Sequence, residues 1–124
     1  MYEIDFQSVF DSLQPVLPAT WNKVVFYAGY TAGSYSMKYY VDLGNGQFVD
    51  CFNLPGANKG QIVKAFLSIN RALSSNRKSL NGNNVWTVFT MIVDAHGNMK
   101  TEFDYTDMSE NTIAYEKAWK KKYL

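Results

Sequence analysis

The chain has little of the residue types that carry most covalent and metal chemistry. It holds one cysteine and one histidine in 124 residues. A single cysteine excludes an intrachain disulfide framework, and a single histidine excludes a multi-histidine metal site. Long apolar runs are also missing. The longest, Val24 to Tyr30, is far short of the ~20 residues that a membrane span needs. No excess of one charge is present either: twelve Lys and Arg face eleven Asp and Glu, for a net charge of +1. Without a basic field, a strongly cationic nucleic-acid binder is disfavoured, and so is a globally acidic DNA mimic. The first five residues, Met1-Tyr2-Glu3-Ile4-Asp5, lack the apolar core of a secretion signal. These absences lead to the expectation of a soluble cytoplasmic protein without a membrane partner.

Aromatic residues are plentiful: nine Tyr, eight Phe and three Trp. Hydrophobic residues make up 47% of the chain, enough for a core at this length. No linker or repeat interrupts it, so residues 1–124 read as one domain.

Periodicity and turn chemistry predict the order αβββαββα. Residues 2–14 place Tyr2, Phe6, Val9, Phe10 and Leu13 on one helical face, and Pro15 and Pro18 end that helix. Strands are expected at 21–30, 35–42 and 47–52. Thr31-Ala32-Gly33-Ser34 and Gly44-Asn45-Gly46 supply the turns between them. In the second strand Tyr35, Met37, Tyr39 and Val41 alternate with Ser36, Lys38 and Asp42, and Tyr40 breaks the polar side. Residues 59–80 carry the stripe Ile62, Phe66, Ile69, Leu73 and Leu80. Asn81-Gly82-Asn83-Asn84 stops it.

A fourth strand at 85–93 is apolar on both faces and reads as a strand buried on both sides. The loop 94–98 leads to a fifth, with Met99, Thr101, Phe103 and Tyr105 inward and Lys100, Glu102 and Asp104 outward. Ser109 caps a last helix that ends in Lys117, Lys120, Lys121 and Lys122. Tight hairpins joining strands one to three and four to five predict an α+β fold: an antiparallel sheet of about five strands with helices packed on it.

Charge is uneven near the C-terminus. Asp94, Glu102, Asp104, Asp107, Glu110 and Glu116 face only Lys100 between positions 94 and 116, a local net of −5 (six minus one). Such a patch suits a basic protein surface; the competing reading is the solvated outer face of an edge strand. Glu102 and Asp104 lie two residues apart on one strand face, but no burial device sets them up as a glycosidase pair. His96 sits in a mobile-looking turn, and Cys51 reads as a buried thiol without a base beside it. The Gly-rich turns lack phosphate-loop spacing. No catalytic residue, metal or cofactor is therefore expected. An alternative reading takes the aromatic strands (Trp21, Tyr27, Tyr35, Tyr39 and Tyr40) as a platform for bases or a small ligand. Only Lys23 and Lys38 are interleaved with them, which argues against direct nucleic-acid binding.

Trp21 opening a strand with Val24 and Tyr27, then a hairpin and a helix, resembles the YezG-like immunity protein family. The C-terminal part is more similar still. Trp86-Thr87 opens a strand, Gly97 sits in its hairpin, and Phe103-Asp104-Tyr105-Thr106-Asp107-Met108 follows. Trp119 and Lys122-Tyr123-Leu124 close the chain. The resemblance implies a non-enzymatic antitoxin that binds a cognate polymorphic toxin, often a nuclease with an LXG-type delivery region. On that expectation Glu102, Asp104 and Asp107 are the charged partner contacts, and Tyr39, Tyr40 and Tyr105 the aromatic ones. The competing reading of Asp107 is a structural turn ahead of the last helix, its carboxylate bonding backbone amides. A one-sided sheet with exposed aromatics also leaves room for a homodimer.

Overall fold

The computed structural model describes residues 3–124. Its elements run α1 (Phe6–Leu13), β1 (Lys23–Thr31), β2 (Ser34–Asp42), β3 (Phe48–Asp50), α2 (Lys59–Lys78), β4 (Val88–Asp94), β5 (Met99–Asp104) and α3 (Thr112–Tyr123). This is the predicted order. The five strands form one antiparallel sheet in the order β3-β2-β1-β4-β5. The connection through α2 carries the chain from one side of β1 to the other.

Local chemistry explains most boundaries. Asp5 caps α1 by accepting from the Ser8 amide at 3.1 Å. α1 thus begins later than the periodicity suggests, and Tyr2 lies outside the described residues. Pro15 sits in a short 3₁₀ turn at 14–16, where its missing N–H costs nothing. Asn58 caps α2 through the Gln61 amide. The β2–β3 turn is held by Asp42, whose carboxylate accepts from the amides of Gly44 and Gly46 at 2.8 and 3.0 Å. Gly44 and Gly46 both have positive φ there, which a side chain would strain. Asp94 does the same for the β4–β5 turn, accepting from the amides of His96 and Asn98. β3 is shorter than expected. Asp50 ends it by capping a 3₁₀ turn through the Phe52 amide, and Cys51 falls in that turn, buried.

The sheet is covered on both faces. α1 and α2 pack on one, over Val24, Phe26, Ala28 and Tyr30 of β1, Met37, Tyr39 and Val41 of β2, and Phe89, Met91 and Val93 of β4. α3 packs on the other, where Trp119 joins Val25, Tyr27, Tyr40, Val88 and Met108. This corrects the one-sided expectation. The side of β2 read as polar is the seat of α3, and Tyr40, which broke the alternation, is the residue that α3 covers. The last helix also starts later than predicted. Ser109 bonds Asp107 instead of capping, and Asn111 caps α3 through the Ala114 amide at 3.1 Å.

Candidate partner-binding surface

The acidic segment folds as β5, a connecting loop and α3, and most of its carboxylates are engaged. Tyr123 of α3 donates its hydroxyl to Glu102, and Tyr115 donates to Asp104. Asp104 also accepts from the amide and hydroxyl of Thr106, at 3.0 and 2.8 Å. Asp107 accepts from the amide and hydroxyl of Ser109 at 3.0 and 2.7 Å, the turn role that its position suggested. Asp94 holds the hairpin. The outward face of β5 is thus not a bare solvent face, since α3 stands on it through two tyrosine hydroxyls. Carboxylates meeting water and carboxylates meeting phenols leave the same strand pattern.

Between α3 and β5 lies a recess of about 440 Å³, lined by Glu102, Asp104, Tyr115, Trp119, Lys122 and Tyr123 among others. The Tyr123 bond holds the Glu102 carboxyl below its usual range. Partial burial raises Asp104, but the bonds from Tyr115 and Thr106 outweigh it and its carboxyl also titrates low. The Ser109 bonds lower Asp107 likewise. All three are ionised at neutral pH and are weak bases there, a state suited to electrostatic docking and poorly matched to proton transfer. Tyr123, partly buried and bonded to Glu102, is pushed up to about 12 and stays neutral.

The aromatic candidates divide. Tyr105 is 55% exposed and stands on the surface. Tyr39 is fully buried, with its hydroxyl on the Val16 carbonyl at 3.0 Å. Tyr40 is buried under Trp119 with its ring 5.8 Å from the indole. Neither can reach a partner while the fold is intact. The same burial removes the proposed base-stacking platform, because Tyr27 is also buried beneath α3 and only Tyr35 is exposed. Lys38, one of its two cations, is paired with Asp50 at 2.5 Å. Cys51 is buried and its thiol is pushed up to about 11, chiefly by desolvation, which leaves it unreactive. His96 is on the exposed turn. Among the described residues no group of three or more His, Cys, Asp or Glu is placed to hold a metal ion.

Two features escaped the sequence reading. Ile113, at the start of α3, is 71% exposed, the most exposed large apolar side chain described. Its signal was faint, a single Ile in a polar stretch. The stripe Tyr115, Trp119 and Tyr123 had a clear one. Steps of four place all three on one helical face, and that face is the one laid on the sheet.

Fold and surface together define a small α+β protein with a doubly covered antiparallel sheet and an acidic, partly apolar flank. Residues 3–124 match the model of the family described as "Immunity protein YezG-like", and the chain belongs to the YezG-like immunity protein family. An immunity, or antitoxin, role with a cognate toxin as partner is the function that membership carries. Comparison with curated proteins gives no match. No helix among the described residues is long and apolar enough to cross a membrane.

Proposed function

We propose that the protein is a cytoplasmic antitoxin that binds a cognate polymorphic toxin and blocks it by covering its catalytic cleft or substrate surface. A nuclease toxin is the favoured target, because a nuclease presents basic surface to its substrate. One observation carries this reading: a segment of local net charge −5, on a chain of net +1, brackets three exposed apolar side chains, Phe103, Tyr105 and Ile113. Exposed aromatic and aliphatic anchors supply affinity at such surfaces, while charge governs association rate and partner choice.

Glu102 and Asp104 serve the surface from behind by seating α3. Asp107 shapes the loop, and Tyr105, Glu110 and Ile113 make the outer contacts. The test is a pull-down with the tagged chain from source-cell lysate, partners being identified by mass spectrometry. The captured toxin domain is then used for kinetics. Tyr105→Ala is expected to speed dissociation at least about tenfold, as loss of a central aromatic does. Glu110→Lys is expected to slow association at low salt and to matter little at high salt. Capture of no toxin-like protein from cells that express one rejects the reading. Association rates independent of salt reject its electrostatic part.

A further inference from the structure

The two borders of the sheet differ. β3 is a three-residue edge beside the Lys38–Asp50 pair. β5 is six residues long and, among the described residues, pairs only with β4. The backbone bonds at the strand ends give its phase. The odd positions that flank β4 give its phase toward β1: Tyr30 N donates to Thr87 O at 2.8 Å, and Ala95 N to Asn22 O at 2.9 Å, while the Thr87 amide, just before the strand, swings to Asp104 O at 2.8 Å. The even ones turn toward β5, as in Asp94 N to Asn98 O at 3.0 Å. Antiparallel alternation then directs the N–H and C=O groups of Lys100, Glu102 and Asp104 inward, and those of Met99, Thr101 and Phe103 away from the sheet.

We propose that two copies of this chain join through this edge as an antiparallel pair, with Thr101 on the two-fold axis. The charges select that register. Among neighbouring registers that keep the outward groups in phase, an axis at Lys100 sets the two Lys100 side chains opposite each other. An axis at Glu102 does the same with two carboxylates. Like charges directly opposite destabilise a strand pair. With Thr101 on the axis, each Lys100 meets Glu102 of the second copy, and each Met99 meets Phe103 of the second copy.

The side chains already lie on the faces that this needs. Lys100 Nζ is 3.6 Å from Glu102 Oε1 on the α3 face. Phe103 lies on the α1 face, its ring 6.3 Å from Phe6, and is 36% exposed at the edge. Paired edges of six residues bury less than the roughly 1,200 Å² of a standard stable interface, so the dimer is reversible and concentration-dependent. Asp107, Glu110 and Ile113 lie outside the paired segment. Glu102 is shared with the toxin surface, whose helix it seats, so the pairing is tested on the purified chain with no toxin present.

Sedimentation velocity of the purified full chain across a concentration series tests it. The wild type is expected to pass from monomer to dimer as concentration rises. Lys100→Glu, at an exposed side chain, is expected to weaken the dimer about tenfold, since symmetry creates two like-charge pairs. Thr101→Pro removes an outward N–H at the axis, a place where an edge strand accepts proline, and is expected to leave monomer. Mixing the Lys100→Glu and Glu102→Lys chains restores opposite charges across the edge, and a heterodimer is expected at concentrations where each chain alone is monomeric. Formation of that heterodimer also shows that both variants are folded. A wild type that stays monomeric throughout overturns the proposal. So does a dimer that Lys100→Glu and Thr101→Pro leave unchanged, or a mixture of the two charge variants that fails to associate while both keep wild-type circular dichroism.

Discussion

On the α1–α2 side of the sheet, Leu13, Phe26, Ile69, Leu73 and Phe89 are fully buried and carry no polar atom. On the α3 side the packing is built from rings with polar tips. The Trp119 indole donates to Thr90 Oγ1 at 2.9 Å, Tyr115 reaches Asp104, Tyr123 reaches Glu102, and Tyr27 lies edge-on to Trp119 at 4.9 Å. Trp119 is the only side chain of α3 that is buried outright. The first face gains from area removed from water, which is large and indifferent to direction. The second gains less area, but its hydrogen bonds fix where the helix sits and how it is turned. α3 is therefore well oriented and shallowly anchored. A helix of that kind can present a surface with definite geometry while belonging to the less stable part of the molecule.

The largest effect that separates the two faces is a cavity in the first. Phe26 is fully buried, with the rings of Phe66 and Phe89 6.4 and 6.1 Å away. Phe26→Ala is expected to cost about 3–5 kcal/mol, read as a lower urea midpoint with an unchanged slope. A loss under about 1 kcal/mol would mean that this face does not dominate stability. The second effect is smaller and local. Trp119→Phe keeps a ring but removes the donor to buried Thr90, and about 1–3 kcal/mol is expected. Hydrogen exchange is the sharper readout. Amides of α3 should lose protection before those of β1 and β4. Equal loss throughout would show that α3 unfolds only with the whole chain.

How far each face was legible beforehand follows from the same contrast. The apolar layer was readable, because Ile62, Phe66, Ile69 and Leu73 recur at helical spacing and Gly44-Asn45-Gly46 and His96-Gly97 mark turns. These signals are local and have one common meaning. The α3 layer was not, because its partners are polar on both sides. Glu102 and Asp104 alternate with Thr101 and Phe103 just as a solvated strand face does. Nothing local tells a carboxylate that faces water from one that accepts from a tyrosine. Tyr40 was the available clue, a ring on a supposedly wet face, and the four-residue spacing of Tyr115, Trp119 and Tyr123 was its match. Ser109 misled for a related reason. Ser and Asn are comparable caps, and only the prior claim of Asp107 on Ser109 leaves the role to Asn111. The candidate contacts fared unevenly on the same grounds. Tyr105 is exposed at the end of an edge strand, while Tyr39 and Tyr40 lie on a strand that both layers cover.

The smallest effect divides the faces by pH. Glu102 and Asp104 titrate below their usual range in the folded chain, Glu102 chiefly through its bond from Tyr123, Asp104 because the bonds from Tyr115 and Thr106 outweigh partial burial. A carboxyl that is more acidic when folded adds stability wherever pH keeps it ionised in the folded chain. Its contribution is complete above the unfolded values, about 3.9 for Asp and 4.3 for Glu. It fades as pH falls through the lower folded values. The α3 face should therefore weaken in acid while the α1–α2 face, whose buried cluster holds no carboxylate, does not. Glu102→Gln with Asp104→Asn keeps an oxygen to accept each phenol but removes the titration. The double variant is expected to be somewhat less stable than wild type at neutral pH, with the gap closing toward about pH 2. Phe26→Ala, in contrast, should lower the urea midpoint by a similar amount at every pH. If the double variant runs parallel to the wild type across that range, the tyrosine–carboxylate bonds act as neutral contacts. Orientation of α3 would then rest on the Trp119–Thr90 bond and ring packing alone.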